Sequence, residues 1–587
     1  MRSDYIPTPA VSPLFPATKQ PEARMHDLII TNGTVVDGTG AAPRTADIAV
    51  TDGVITEVGV IDGPARRRVD ADGLVVAPGW VDIHTHYDGQ VTWDPEVSPS
   101  SWHGATTIVM GNCGVGFAPR RPGGEQFLIE LMEGVEDIPG SALNEGIDWQ
   151  WESFPEYLDA VDSMPRVLDV AAQVPHCALR AYVMGDRAHD APSAVEIGQM
   201  ARLTEEALRA GAVGFSTSRT ILHRSKHGLI PGTSAMPDEL IAIGEVIGRV
   251  GRRVVELVGD DVVGVEERAW MRALAGVGAT VTFALAQGGR SNDGYREVLD
   301  DAAAAQASGL QIVPQVANRP TGMLFGFQSS LHPFITHPTY KAIAHLPLDA
   351  RVAELRRHEV RAALLAEVPA TKNRIGLTLM SRFELFFPLG DVPDYEPHPS
   401  TSAAAVAAAS GQTPQEVMLD WMLGRDGKAL IFAPLASYVD GDHEAIREMI
   451  THPTTVMGLS DGGAHCGLIC DASMPTYLLT HWARDRHRGP KLSLEAAVRL
   501  QTSRTASVFG LRDRGELVPG KRADINLIDL DGLRLHEPEM VFDLPAGGRR
   551  LIQRADGYVA TFVRGQQTFA HGTPTGERPG RLVRAGA

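Results

Sequence analysis

The 587-residue sequence predicts an α/β protein with a TIM-like (β/α)8 barrel, a small β-sandwich built from both chain ends, and one insertion in the barrel. Three observations predict it. Unalternated apolar strands alternate with helical stretches from about residue 80 to 505, as in a parallel sheet buried on both faces. Short alternating β runs precede and follow that region. The strand–helix rhythm breaks once, from about 320 to 425.

Residues 1–24 are Pro-rich, lack the apolar stretch of a secretory signal, and read as a disordered leader, with Met25 as an alternative start. From Leu28, the runs L-I-I-T-N-G-T-V-V-D-G and A-D-I-A-V-T-D-G-V-I-T-E-V-G place Asn-Gly and Asp-Gly at expected strand reversals. The predicted sandwich takes residues 25–78 and 506–571, because an N-terminal hairpin alone is marginal in water and the β signal returns in G-E-L-V-P-G-K-R-A-D-I-N-L-I-D-L (515–530). The barrel takes 79–505, with strands such as T-T-I-V-M (106–110), R-V-V-E-L-V (253–258), A-T-V-T-F-A-L (279–285) and T-V-M-G-L-S (455–460), and helices such as E-I-G-Q-M-A-R-L-T-E-E-A-L-R-A (196–210). H-P-F-I-T-H-P-T-Y and P-D-Y-E-P-H-P mark the insertion, whose His332, His337 and His398 are expected to be exposed. Residues 572–587 are Gly-, Arg- and Pro-rich and are expected to be a flexible tail.

A formal net charge of −18 repels phosphate backbones and anionic lipid surfaces, which argues against nucleic-acid and membrane partners. No apolar run approaches the ~20 residues that cross a bilayer. Four cysteines, Cys113, Cys177, Cys466 and Cys470, are too few for a disulfide framework and fit a reducing compartment, the cytoplasm. Cys466 and Cys470 have the spacing of half a metal knuckle, but with no second pair they read as free thiols.

His84-Thr85-His86 ends the first barrel strand. Residues i and i+2 of a strand face the same side, so both imidazoles project into the barrel mouth, where they form either a metal-ligand pair or a chance polar pair. Asp461, in G-L-S-D-G-G-A-H (458–465), follows the last apolar strand, and barrel closure brings it beside them. Cys113, in M-G-N-C-G after the next strand, is a candidate thiolate ligand or a buried structural cysteine. F-S-T-S-R-T (215–220) with His223 offers Arg219 and His223 as candidate substrate-binding residues, since an Arg fork matches a carboxylate; a solvated loop is the alternative.

Together, D-L-I-I-T-N-G-T-V-V-D-G-T-G, P-G-W-V-D-I-H-T-H-Y-D, G-N-C-G-V-G-F-A-P, F-S-T-S-R-T and G-L-S-D-G-G-A-H resemble the amidohydrolase superfamily, in its N-acyl-D-amino-acid deacylase (D-aminoacylase) branch. The resemblance implies a barrel with a split β-sandwich, one or two divalent metal ions, usually zinc, and a metal-activated water. It matches His84 and His86 to the H-x-H ligands, Cys113 to a thiolate ligand, and Asp461 to the catalytic aspartate, itself a candidate ligand. The implied partner is a small N-acyl substrate, and a homo-oligomer is compatible with this reading.

The sequence departs from the branch at two later strands, V-V-E-L-V-G-D-D (254–261) and T-F-A-L-A-Q-G-G (282–289), where a His is expected and none occurs. Three readings follow: a mononuclear centre on His84, His86, Cys113 and Asp461; a rearranged site recruiting Glu256, His176, His223 or His227; or a chain that has lost hydrolysis. The leading function is hydrolysis of the linear amide of an N-acyl amino acid, an N-acyl-D-amino acid first. The alternatives are a cyclic amide or imide hydrolase, a deaminase, and a non-catalytic scaffold with a degenerate metal site.

Overall fold

The computed structural model describes residues 25–251, 253–260, 262, 264–288 and 292–585. The expected leader, residues 1–24, lies outside the described residues. Eight parallel strands form the barrel: β1 (Trp80–Asp82), β2 (Ala105–Met110), β3 (Asp169–Pro175), β4 (Gly214–Arg219), β5 (Val254–Gly259), β6 (Thr280–Ala284), β7 (Gln311–Val316) and β8 (Val456–Met457). Each pairs with the next in chain order. The ring closes just past the short ends of β1 and β8. Thr85 bridges Gly462 in parallel, the Asp461 N–H donates to the His84 carbonyl at 3.1 Å, and the His86 N–H donates to the Gly462 carbonyl at 2.7 Å. Closure therefore runs through the residues that carry the candidate chemistry.

The helices between strands have local reasons to start where they do. Ser193 accepts from the Glu196 N–H, and the Glu196 side chain returns to the Ser193 N–H, so a capping box fixes the start of helix Ala194–Ala210. That helix presents Met200, Thr204, Ala207 and Leu208 as its buried stripe.

Both chain ends build one nine-stranded sheet beside the barrel, and Val75–Pro78 pairs antiparallel with Ile525–Ile528 to join them. Leu28, Ile30, Val35, Ile48, Ile525, Leu527 and Phe562 share its apolar core. Asp52-Gly53 makes the expected reversal, with φ of 54° and 76°, as a tight hairpin turn requires. Asn32-Gly33 does not: it lies inside the continuous strand His26–Val35, where the register shifts between Ile30 and Gly33. Asn32 takes φ 64° there, so the dipeptide makes a bulge instead of a turn, and a Cβ on Gly33 would lie 2.2 Å from Val76 Cγ2.

The excursion between β7 and β8 is wider than 320–425. Gly322–Phe325 pairs with Ile431–Pro434 and opens and closes a three-stranded antiparallel sheet, over a separate core that includes Phe325, Phe327, Tyr340, Leu419 and Met422. His332 and His337 are buried there, contrary to expectation, because His332 packs edge-on against Phe327 and Tyr340; His398 is exposed.

The described part of the C-terminal tail is not free either. The Gly580 N–H donates to the Arg166 carbonyl at 2.9 Å and the Val583 N–H to the Val170 carbonyl at 2.7 Å, which lays this segment along β3. Backbone pairing of this kind leaves no mark in composition. At the same place Asp169, fully buried, accepts from Arg514 Nη1, Arg522 Nη1 and the Arg581 N–H, each at 2.8 Å, and so ties barrel, sheet and tail together. Asp169→Ala takes from buried Arg514 and half-buried Arg522 the carboxylate they share, leaving Asp513 and Asp524 as their partners, and is expected to lower stability by about 3 kcal/mol. Urea unfolding measures this, and a loss under about 1 kcal/mol contradicts it. Among the described residues, no helix is long and apolar enough to cross a membrane.

Candidate metal centre

Four predicted residues converge at the barrel mouth. His84 and His86 leave β1 on the same side, while Thr85 between them turns away and donates its hydroxyl to the Val109 carbonyl at 2.8 Å. His84 Nε2 lies 3.3 Å from Cys113 Sγ and 3.3 Å from Asp461 Oδ1, and His86 Nε2 lies 3.7 Å from the same oxygen. A tetrahedral ion with bonds of about 2.0–2.3 Å holds its donors about 3.3–3.8 Å apart, which these three pairs meet, and one ligand atom each of His84, His86 and Cys113 lies within 4.8 Å of the other two. Two imidazoles, one thiol and one carboxylate are a donor set that such an ion accepts.

Backbone strain aims two of the donors. Cys113 sits at φ 55° in a turn flanked by Gly111 and Gly114, and a Cβ on Gly114 would lie 2.9 Å from Thr217 Cα, so the turn packs tightly on β4. Leu459, Asp461 and His465 take φ of 63°, 47° and 49° in the loop after β8.

Buried groups surround these donors. His84 Nδ1 pairs with Gln315 Oε1 at 3.0 Å, leaving Nε2 as the nitrogen that faces Cys113 and Asp461. Glu256 on β5 accepts the Cys113 N–H at 2.7 Å, and its other oxygen lies 3.9 Å from His84 Nδ1 with no hydrogen-bond partner. Glu136, 1% exposed, faces His86 Nδ1 at 3.3 Å and His465 Nε2 at 3.4 Å. Burial raises the Glu256 carboxyl to about 7 and, with the charges of Asp461, Asp88 and Glu256, pushes Glu136 well above its usual range. Burial pushes the Cys113 thiol up as well, reinforced by Glu256, Glu136 and Asp461, so a thiolate here requires a cation beside it. For Asp461, burial is outweighed by attraction to His86, His84 and His465, which holds the carboxylate well below its usual range.

Other candidates separate. His223 bonds back to β4, the strand before its loop: its Nδ1 lies 2.9 Å from Ser218 Oγ, and burial, reinforced by the charges of His465 and His86, lowers it to about 3. Arg219 is not a free clamp, because Glu267 takes its Nε and Nη2 at 3.0 and 2.7 Å and the Ala235 carbonyl takes Nη1 at 2.6 Å. His176 belongs to a buried network with Thr217, Glu239 and Arg180, and exposed His227 pairs with Glu130. Cys466 and Cys470 are buried free thiols.

Sequence reasoning assigned no role to Glu136 or His465. His465 was within reach as the last residue of G-L-S-D-G-G-A-H. Glu136 had a quieter signal: it follows Leu128 and Met132 at four-residue intervals on helix Glu125–Glu136, a carboxylate on an apolar stripe.

Residues 67–569 match the amidohydrolase family. The chain is 28% identical over 576 residues to the D-aminoacylase of Alcaligenes xylosoxydans xylosoxydans, covering 96% of this chain and 99% of that one. It also resembles the crystal structure of N-acyl-D-glutamate deacylase from Bordetella bronchiseptica, complexed with zinc and a phosphonate that mimics the tetrahedral intermediate, with a TM-score of 0.64, 25% identity and coverage of 96% and 100%. A D-aminoacylase structure concerned with a binuclear metal centre, one-metal activation and second-metal attenuation gives a TM-score of 0.63 at 25% identity, covering 95% and 100%.

Proposed function

Because the chain belongs to the amidohydrolase family, we propose that it is a metal-dependent hydrolase that cleaves the linear amide of a small N-acyl amino acid, of the D series. The observation that carries this is the gathering of His84, His86 and Cys113 within 4.8 Å of one another at the barrel mouth, with Asp461 Oδ1 against both imidazoles. Full-length likeness to D-aminoacylase supports the substrate class. His84, His86, Cys113 and Asp461 would hold one divalent ion, zinc by donor type. When bound, such an ion supplies Lewis acidity that polarises the scissile carbonyl and makes hydroxide available at neutral pH.

The chain's own groups do the rest. Asp461 stays ionised, accepts the proton of the attacking water and passes it to the leaving amine. Gln315 orients the His84 imidazole from behind, Glu136 places a carboxylate 3.3 Å from His86 Nδ1, and Glu256 fixes the Cys113 turn through its N–H. His223, in the loop after β4 and within reach of the cluster's charges, would meet the substrate. The unpartnered oxygen of Glu256 is the donor available should a second ion bind beside the first.

Glu136→Gln, which removes the carboxylate facing His86 and His465, is expected to weaken metal retention or activity about 10–100-fold. Dialysis against chelator with metal content followed in time checks this, and retention equal to the parent contradicts it.

The function itself is tested by assaying zinc-loaded protein against N-acetyl-D- and N-acetyl-L-amino acids, hydantoins and aminopyrimidines. The expected products are acetate and a free D-amino acid. Ring-opened acid or ammonia as the only product would replace this reading with the cyclic-amide or deaminase one.

A further inference from the structure

Away from the barrel mouth, the geometry points to a second cation site: we propose that Glu396, His443 and His481 bind a divalent ion of the zinc type and clip the inserted excursion to the barrel's outer helices. Glu396 belongs to the excursion and is 2% exposed. His443, fully buried, precedes helix Glu444–Thr451, and His481 lies on Leu478–Asp485, which is wound as a π-helix, a form that recurs at functional sites. One ligand atom from each residue falls within 4.8 Å of the other two.

The tautomer of His443 carries the argument. Its Nε2 lies 2.8 Å from the Tyr395 carbonyl oxygen, which can only accept, so Nε2 bears the proton. In the neutral ring Nδ1 then presents a lone pair; it has no hydrogen-bond partner and faces Glu396 Oε2 at 3.8 Å, too far for the N–H···O bond that an imidazolium would make there. A buried lone pair aimed at a buried carboxylate oxygen is unfavourable unless positive charge lies between them. A backbone carbonyl that fixes the proton on one ring nitrogen while the other points at a carboxylate is the arrangement of a metal-ligating histidine.

His481 Nε2 approaches the same oxygen at 2.9 Å, and its ring stacks on Tyr477 with centroids 4.6 Å apart. To ligate, His481 needs only to move its proton from Nε2 to Nδ1. Two neutral imidazoles and one carboxylate then give an N2O set, with water as the fourth ligand.

Glu396 is preorganised for this. It accepts from Arg486 Nε at 3.2 Å and Nη2 at 3.1 Å, and from the His443 N–H at 2.8 Å. Arg486 Nη2 is shared with Glu444 Oε1 at 2.8 Å. Glu444 also pairs with Arg447 Nε at 2.8 Å, so the two guanidiniums balance the two carboxylates, and the His443 lone pair facing Glu396 Oε2 carries the case for a cation.

The test separates this site from the barrel mouth. His84→Ala/His86→Ala protein, equilibrated with zinc and dialysed into metal-free buffer, is expected to keep about one ion per chain by plasma mass spectrometry. Adding His443→Gln is expected to abolish that ion. In the otherwise native chain, His443→Gln and, separately, His481→Asn should each lower zinc content by about one ion per chain and remove a zinc-induced rise in Tm, which guards against a double variant that fails to fold. Zinc content and Tm response unchanged in both single variants would overturn the proposal. That outcome would leave the barrel-mouth reading untouched, since His84 and His86 are intact in those variants.

Discussion

Asp461→Asn is expected to lower kcat about 10²–10⁴-fold, the range for loss of a positioned acid–base group. Asn keeps the shape and one oxygen facing His84 and His86, but it cannot accept and release a proton. The native carboxylate can do both from its place 3.3 Å from His84 Nε2 and 3.7 Å from His86 Nε2. An interaction needed only in the transition state lowers kcat and kcat/KM together, so KM should change far less than kcat. The comparison requires equal metal content in both proteins, measured on the same samples. A variant that keeps its metal and falls less than about 10-fold would remove Asp461 from proton transfer.

Cys113→Ser is expected to cost at least as much as losing an outer partner of a metal ligand, about 10–100-fold, and to do so through metal affinity. The substitution is mild for the fold: Ser is of similar size and keeps the Cβ at φ 55°, so the turn between Gly111 and Gly114 and the Cys113 N–H bond to Glu256 can persist. A serine hydroxyl, however, does not ionise to replace a thiolate at 3.3 Å from His84 Nε2. Zinc retained per chain and hydrolysis at saturating zinc should therefore separate, with the first falling more steeply. Retention equal to the parent would make Cys113 a structural cysteine.

The barrel and its four convergent residues were legible because their signals are local. His84 and His86 need only the two-residue strand period, and Asp461 and Cys113 need only the ends of strands whose order follows the chain. What stayed hidden depends on partners far away in sequence. Arg219 reads as a free clamp until Glu267, on helix Val265–Gly276 beyond β5, takes its fork. Asn32-Gly33 carries the same residues as a hairpin turn, but pairing with both Arg44–Thr51 and Ala65–Asp70 makes it a bulge. Glu136 reaches His86 from a helix outside the barrel, and the final segment pairs with β3 through backbone alone. Glu256 was among the residues suggested to compensate for the absent later-strand histidines; it supports the Cys113 turn from β5.

The most direct test of the account is chelation and restoration of N-acetyl-D-amino acid hydrolysis, run in parallel on the parent and on His84→Ala/His86→Ala. The account predicts that chelator abolishes hydrolysis, that zinc restores it in the parent, and that no added zinc restores it in the variant. Hydrolysis that survives exhaustive chelation, or that zinc supports equally in the variant, would contradict a barrel-mouth metal as the source of activity.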